Sequence, residues 1–309
     1  MAVSALALLV ALLLDHFRGE PPAWAHPVVA MGRYLGALGP RLVTRHPVAA
    51  FVGGAVAWLL GATMVGALAM MADHALRAWP GPVAVLALGV LLKPLLAWRM
   101  LDAEVAAVEA ALAESLDAGR ARLQRLVSRD VSRLDATQVR ESAIESLAEN
   151  LNDSLVAPLF WFTLGGLPAA ALYRFANTAD AMWGYRGCYE WAGKWAARVD
   201  DALSWLPARL TGVLLCLAAR RRPPWRAMRQ EASRTPSPNG GWTMGAMALL
   251  LGVHLRKPGA YALNAGGRPP EAAQTRQALD WARRAVFWAA GICMTALFVA
   301  SVLPWGKGA

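Results

Sequence analysis

The sequence predicts an all-α, polytopic integral membrane protein. Three observations carry this: an apolar composition, apolar windows long enough to cross a bilayer, and basic residues gathered into alternate loops. Of 309 residues, 57% are hydrophobic and 27 more are glycine, so about two thirds of the chain is apolar, against roughly 45–50% in a soluble domain. Charged residues make up 17%, where about 25% is usual. The same numbers exclude disorder, because a disordered chain is poor in apolar residues and rich in charge.

A helix needs about 20 apolar residues to cross the hydrocarbon core. Val48 to Met71 and Ala285 to Trp305 meet that length. Three segments are shorter or interrupted: Pro82 to Trp98 contains Lys93-Pro94, Leu155 to Tyr173 contains Pro158 and Gly165-Gly166-Leu167-Pro168, and Trp205 to Ala219 contains Arg209. Ala2 to Leu14 is short for a full span. It lacks the basic start and small-residue cleavage site of a signal peptide, so it is expected to be retained. About five to six membrane-embedded segments follow, one of them re-entrant.

Loop charge sets the expected topology. Arg18, Arg33, Arg41 and Arg45 follow the first segment, Arg120, Arg122, Arg125, Arg129 and Arg133 the third, and Arg220, Arg221, Arg222, Arg226, Arg229 and Arg234 follow Ala219. Residues 72–81 hold only Arg77 and Asp73. The positive-inside rule then puts residues 15–47, 99–153 and 220–284 in the cytoplasm. The net charge of +10 is thus a topology signal. No nucleic-acid partner is expected, since no basic helix interleaves aromatics at base-stacking spacing. The domain organisation expected is a single membrane-embedded domain over residues 1–309, with a cytoplasmic helical insertion at about 99–153 and a polar loop at about 175–204. If Leu155 to Tyr173 crossed fully, that loop would lie on the far side with Asp180, Glu190, Lys194, Arg198, Asp200 and Asp201. A segment broken at Pro158 and Gly165-Gly166-Pro168 is instead expected to be re-entrant, which is tolerated where irregular backbone is buried in protein or lines a cavity.

The three cysteines (Cys188, Cys216, Cys293) are widely spaced, and the five histidines show no ligand spacing. This excludes a disulfide framework and a zinc ribbon. Any metal is expected to be a hard cation on oxygen ligands, such as magnesium.

Within the polar insertion, Met100 to Asp117 reads as an amphipathic helix with Leu101, Val105, Val108 and Leu112 on one face and Gly119 as its stop. A second helix starts near Asp135, a good N-cap, and runs through Glu149. Glu141, Glu145, Glu149 and Asp153 recur at every fourth residue of it. Like charges at that spacing repel by a few tenths of a kcal/mol each, and on an arbitrary soluble helix such a stripe is a solvated face. Here it ends in Asn150 and Asn152, runs into an apolar segment, and has arginines close in sequence. Carboxylate and amide oxygens beside arginines can hold a magnesium–nucleotide complex. Asn177, Thr178, Asp180, Arg198, Asp200 and Asp201 repeat the pattern. Arg209, inside an apolar segment, is expected to face a cavity or a carboxylate. Asp200-Asp201 suits a helix cap and Arg209 partner as well as a ligand, and Lys93 suits snorkelling as well as lining a site.

Gly187, Gly193 and Lys194 do not make a phosphate loop: five residues separate the glycines where four are needed, and Trp195 stands where Ser or Thr must bind magnesium. No GxSxG, Ser/His/Asp array or GxGxxG context supports a serine hydrolase or a Rossmann domain.

Several runs resemble, in order, the CobD/CbiB family of corrinoid-pathway membrane proteins, the adenosylcobinamide-phosphate synthases. They are His26-Pro27 with Gly32-Arg33, Arg129-Asp130-Val131-Ser132 with Leu134-Asp135, and Glu145-Ser146 through Glu149-Asn150 to Asp153 and Ala157-Pro158-Leu159-Phe160. Asn177-Thr178 with Asp180 and Gly184-Tyr185 follow, then Arg198 with Asp200-Asp201 and Trp205 to Leu210, and Ser237-Pro238-Asn239 with Gly241-Trp242. Each run is a weak pattern; the ordered set covers nearly the whole chain. Glu20 stands where the family usually has Asp, and Tyr261-Ala262-Leu263-Asn264 matches the expected tyrosine–glycine turn only loosely, so no catalytic role carries over to Glu20 or Tyr261.

The resemblance implies ATP-dependent amide ligation of adenosylcobyric acid, through its free propionate, to aminopropanol phosphate or a related amino alcohol. It also implies a bacterial inner-membrane protein with its site on the cytoplasmic face, and other membrane enzymes of the pathway as partners besides the lipid bilayer. On that basis Glu149, Asn150 and Asp153 are expected to hold magnesium and ATP, with Glu149 and Asp153 as metal ligands and Glu145 beside them. Arg129, Arg198 and Arg209 are expected to bind phosphate. Asp180, Asp200 and Asp201 supply a second metal position or orient those arginines, and Asn177 and Asn239 complete the nucleotide and substrate contacts. Two other classes remain: a non-catalytic regulatory membrane protein of the AmpE type, and a transporter. The transporter predicts paired broken segments in two related halves, and the Pro158–Pro168 break has no matching counterpart.

Overall fold

The computed structural model describes residues 2–43, 46–76, 78–185 and 187–302; Arg45, Arg77 and Trp305 fall outside them. Helices dominate: α1 (Ala2–Arg18), α2 (Pro27–Val43), α3 (Pro47–Leu76), α4 (Gly81–Leu92), α5 (Trp98–Glu114), α6 (Leu116–Leu123), α7 (Ala136–Leu151), α8 (Ala157–Trp183), α9 (Lys194–Ala219), α10 (Trp225–Ala232), α11 (Gly240–Leu251) and α12 (Ala272–Val302). The sheet content among the described residues is one antiparallel hairpin, β1 (Leu255–Lys257) and β2 (Tyr261–Leu263). Five stretches are long and apolar enough to cross a membrane: Pro47–Leu76, Gly81–Glu114, Ala136–Trp183, Lys194–Ala219 and Ala272–Val302. The all-α, polytopic fold predicted from composition is the fold observed, and α1, at 17 residues, is as short as its sequence suggests.

The chain divides into two compact units. The first comprises residues up to Ala97, Ala157–Leu203 and the stretch from Ala290; the second comprises Trp98–Val156 and Ser204–Ala289. In the first unit α1 packs along α4, and α8 packs on α2 and α3. Its core gathers Leu35, Trp58, Phe175 and Trp183, while α3 turns Leu60, Leu68 and Met71 outward, as a lipid-facing helix does.

The break expected in the segment after Leu155 is present. Gly165 (φ −137°, ψ 19°) and Gly166 (φ 66°, ψ −158°) leave the helical region inside α8. The Gly166 conformation is open to glycine and almost closed to other residues, and Pro168 has no N–H to continue the previous turn. The second limb then runs antiparallel to α3. Gly166 lies near Asp73, Leu172 against Gly66, Phe175 against Gly61, and Ala192 against Gly54. Residues 187–193 therefore return to the end of the unit where α3 begins.

Two local expectations need correction. The predicted polar loop at 175–204 is mostly helix among the described residues: α8 continues to Trp183 and α9 starts at Lys194. Phe175, Ala176, Ala179 and Trp183 are buried at three- and four-residue spacing, and that apolar stripe holds the helix despite the polar residues between. Likewise the predicted stop at Gly119 lies inside α6. The chain breaks earlier, at Ser115, whose hydroxyl accepts the Ala118 N–H at 3.1 Å, while Gly119 is where Leu112 packs closely.

In the second unit the predicted Asp135 cap is observed as a reciprocal capping box with Gln138. Leu101, Val105 and Val108 are buried, as the amphipathic pattern predicts. After Leu151 the helix widens into one π turn, Asn152–Val156, before α8. The start of α12 is tied to α5 by Arg283, whose Nε and Nη2 donate to the Asp102 carboxylate at 2.8 and 3.1 Å.

Candidate functional site

The capping box fixes the phase of α7, and the phase decides where its acids go. Glu141 is fully buried. Its carboxylate accepts the Arg256 backbone N–H at 3.0 Å and that residue's Nε and Nη2 at 3.2 and 2.9 Å, and His254 Nε2 lies 3.0 Å away. This clamps the β1–β2 hairpin to α7. One turn on, Glu145 is also buried and accepts Arg129 Nη2 at 3.0 Å. The same Nη2 donates to Ser142 Oγ at 2.6 Å, and Ser142 in turn donates to the Gln138 carbonyl at 2.7 Å. The Nε and Nη1 groups of Arg129 are buried without a hydrogen-bond partner among the described residues, so three N–H bonds stay available to an anion.

The hairpin places Tyr261 near the Glu145 and Glu149 carboxylates, with its hydroxyl donating to Met244 Sδ at 3.6 Å. Burial and the neighbouring carboxylates of Glu145 and Glu149 push the phenol's pKa up, which keeps it a proton-bearing donor. Glu149 is exposed and lies by the start of α11: a Cβ on Gly240 would sit 3.3 Å from its Oε1. Asn150 donates to the Ser146 carbonyl at 3.0 Å. In the π turn Asn152 donates to Asp153 Oδ1 at 2.8 Å and accepts the Thr211 hydroxyl at 3.1 Å. Two residues before Thr211, the Arg209 guanidinium lies 4.1 Å over the Trp205 ring and 4.9 Å over Trp242, with Nη1 3.3 Å from Asn239 Oδ1. Arg209 thus stacks on indoles and touches an amide, where the sequence suggested a cavity or a carboxylate.

Of the residues singled out by sequence, Arg129, Glu145, Glu149, Asn150, Asp153, Arg209 and Asn239 fall in this second unit, joined by the contacts above. Asn177, Asp180, Arg198, Asp200 and Asp201 fall in the first unit. There Asn177 accepts Arg174 Nη1 at 3.4 Å, Asp180 sits in the last turn of α8, Arg198 is exposed, Asp201 is half-buried and Asp200 is buried. Asp200 and Asp201 lie in the second turn of α9, so neither caps it. Lys93 does not snorkel; it is buried and ion-paired to Asp15 and Glu20.

Sequence reasoning missed Tyr261, Ser142, Thr211 and the Glu141–Arg256–His254 clamp. The one available signal was Glu141, which begins the four-residue repeat. Among the described residues no group of three or more His, Cys, Asp or Glu is gathered to hold a metal ion. Glu149 and Asp153 suit a magnesium ion that takes one or two carboxylates and completes its shell with phosphate and water.

The CobD/Cbib protein family matches residues 8–289. A probable cobalamin biosynthesis protein CobD of Thermococcus kodakarensis is 40% identical over 273 residues, 88% of each chain. A cobalamin biosynthesis protein CobD of Chromobacterium violaceum is 40% identical over 283 residues, 86% of each chain, and one of Brucella suis 35% over 334 aligned residues, 98% of each chain. No solved structure shows significant similarity.

Proposed function

This chain belongs to the CobD/CbiB family of cobalamin biosynthesis proteins, and from that premise we propose that it joins the propionate carboxyl of adenosylcobyric acid to an amino alcohol phosphate at the expense of ATP. The observation that carries the reading is Arg129: a half-buried guanidinium locked by Ser142 and Glu145, with its remaining N–H bonds unused beside two more α7 acids and a π turn.

An unactivated carboxylate is a poor acyl donor. In the route we propose, a carboxylate oxygen attacks the terminal phosphorus of ATP, the bond to ADP breaks, and an acyl phosphate results. The amine then attacks the acyl carbon, phosphate leaves with one carboxylate oxygen, and the amine gives up a proton. Such chemistry rests on positioning and charge neutralisation and needs no protein nucleophile. Arg129 holds a phosphate or carboxylate oxygen, and Glu145 fixes the guanidinium. Glu149, Asn150 and Asp153 present hard oxygens to magnesium, which when bound neutralises phosphate charge. Tyr261, kept protonated by burial and the nearby carboxylates, adds a neutral hydroxyl beside the acid cluster. Arg209, supported by Trp205, Trp242 and Asn239, offers a second cation for phosphate. Within the first unit, we propose that Asn177, Asp180, Arg198, Asp200 and Asp201 contact phosphate or a second metal ion, and that the ligation takes place at the cytoplasmic face of a bacterial inner membrane.

The test is mass spectrometry of a reaction containing detergent-purified protein, adenosylcobyric acid, aminopropanol phosphate, ATP and magnesium. We expect an amide product that requires ATP and is lost in Asp153→Ala. Folded wild-type protein that makes no product, with the unphosphorylated amino alcohol also supplied, overturns the ligase and favours a regulatory role.

A further inference from the structure

The first unit contains a polar cluster of its own. Past α1 the chain turns through Gly19 (φ 65°) into Glu20-Pro21. Lys93 Nζ lies 2.9 Å from Glu20 Oε2 and 3.4 Å from Asp15 Oδ1, and His26 Nε2 is 3.1 Å from the same Glu20 oxygen. The Lys93 and Asp15 side chains are 6% and 2% exposed. Burying such charges costs several kcal/mol per ion, more than a plain helix lock between apolar elements requires.

A cavity of about 850 Å³ adjoins the cluster, walled by α1–α4 and α8. That volume is within the range of small-molecule sites. Arg18, Glu20 and Lys93 line its polar part, and the rest of its wall is overwhelmingly apolar. Wall residues Met64 and Leu68 of α3 and Val90 of α4 are about half exposed, so the cavity is open along this wall. Both helices belong to stretches long and apolar enough to cross a membrane, and an opening between them faces lipid when they do.

The polar part prescribes the head group. Glu20 Oε1 is buried with no hydrogen-bond partner among the described residues, so it calls for a donor. Lys93 has three N–H bonds and two carboxylate oxygens beside it, so one N–H is left for an oxygen acceptor, and Arg18 supplies the cation that makes an anionic acceptor favourable. We propose that this cavity binds a membrane phospholipid: one acyl chain in the apolar part, the phosphate at Arg18 and Lys93, and a head-group N–H or O–H at Glu20 Oε1. Ethanolamine and glycerol head groups supply that donor. Choline, which has neither N–H nor O–H, does not.

The test is native mass spectrometry of the full chain, stripped with mild detergent and offered ethanolamine, glycerol and choline phospholipids with identical acyl chains. We expect one lipid retained per protein, with choline about tenfold weaker, the loss that goes with one charge-assisted hydrogen bond. Leu68→Trp, which fills the opening, should lose the lipid. Leu60→Trp, equally exposed on α3 but away from the cavity, should keep it. Glu20→Gln should bring the choline lipid level with the others, and a thermal melt establishes that each variant is folded. Preference between ethanolamine and glycerol identifies the natural source. The proposal is overturned if no lipid is retained, if wild type binds choline lipid as well as the others, or if Leu68→Trp retains as much as Leu60→Trp.

Discussion

Arg129 is where the second unit concentrates unused bonding capacity, and its surroundings dictate what a substitution does. Lysine keeps the charge but presents a point cation without the fork that reaches Ser142, Glu145 and an anion together. We predict that Arg129→Lys lowers kcat/KM about 10²-fold or more, as loss of a preorganised donor does, with little change in melting temperature. Tyr261→Phe removes a neutral hydroxyl beside the Glu145 and Glu149 carboxylates, a donor worth about 1 kcal/mol, so kcat should fall roughly 5- to 10-fold. The phenol's pKa is raised by burial and by Glu145 and Glu149, so it remains neutral into strongly alkaline solution. The alkaline limb of the wild-type pH–rate profile should therefore stay in place in Tyr261→Phe; a limb that vanished would assign ionisation to Tyr261 instead. The acids of α7 were legible because carboxylates next to apolar sequence need a reason. Tyr261 was not, because its neighbour Glu145 lies more than a hundred residues earlier and the two meet only through the hairpin.

At the level of elements, the hairpin is held to α7 by an unequal pair. Glu141 is fully buried, whereas the Arg256 side chain is 49% exposed. Removing the arginine side chain leaves the buried carboxylate with only the residue 256 backbone N–H and His254 beside it, so the cost falls below the roughly 3–5 kcal/mol of a fully stranded ion but stays well above zero. Removing the acid leaves a cation that water can reach. Arg256→Ala should thus lower thermal stability more than Glu141→Gln, read by unfolding in detergent; the reverse order would contradict the clamp. The break in α8 was readable from Gly165-Gly166 and Pro168, because backbone conformation there is a local matter. The extension of α8 to Trp183 was not, since its buried stripe has meaning only against α2 and α3. The π turn at Asn152–Val156 had no local mark either, though it is what displaces Asp153 from the regular stripe.

For the whole molecule, composition and loop charge were enough to predict a multispanning helical protein, because lipid allows few alternatives to helices. The division into two units was not readable, since each is assembled from separated stretches of chain. Because α8 runs back along α3, residues 187–193 return to the end of α3 preceded by Arg33 and Arg41, which loop charge predicts to be cytoplasmic. Cys188 is exposed in that stretch, whereas Cys216 and Cys293 are half-buried. In a Cys216→Ser/Cys293→Ser protein, we predict that an impermeant maleimide labels Cys188 in inverted vesicles and not in intact cells; the opposite pattern would put the first-unit acids away from cytoplasmic ATP. The most direct measurement is the fate of carboxylate oxygen. With ¹⁸O in the propionate of adenosylcobyric acid, activation through an acyl phosphate transfers one labelled oxygen to the inorganic phosphate released with each amide formed. Amide formation with unlabelled phosphate, or with the label in AMP, would contradict phosphoryl activation at this site.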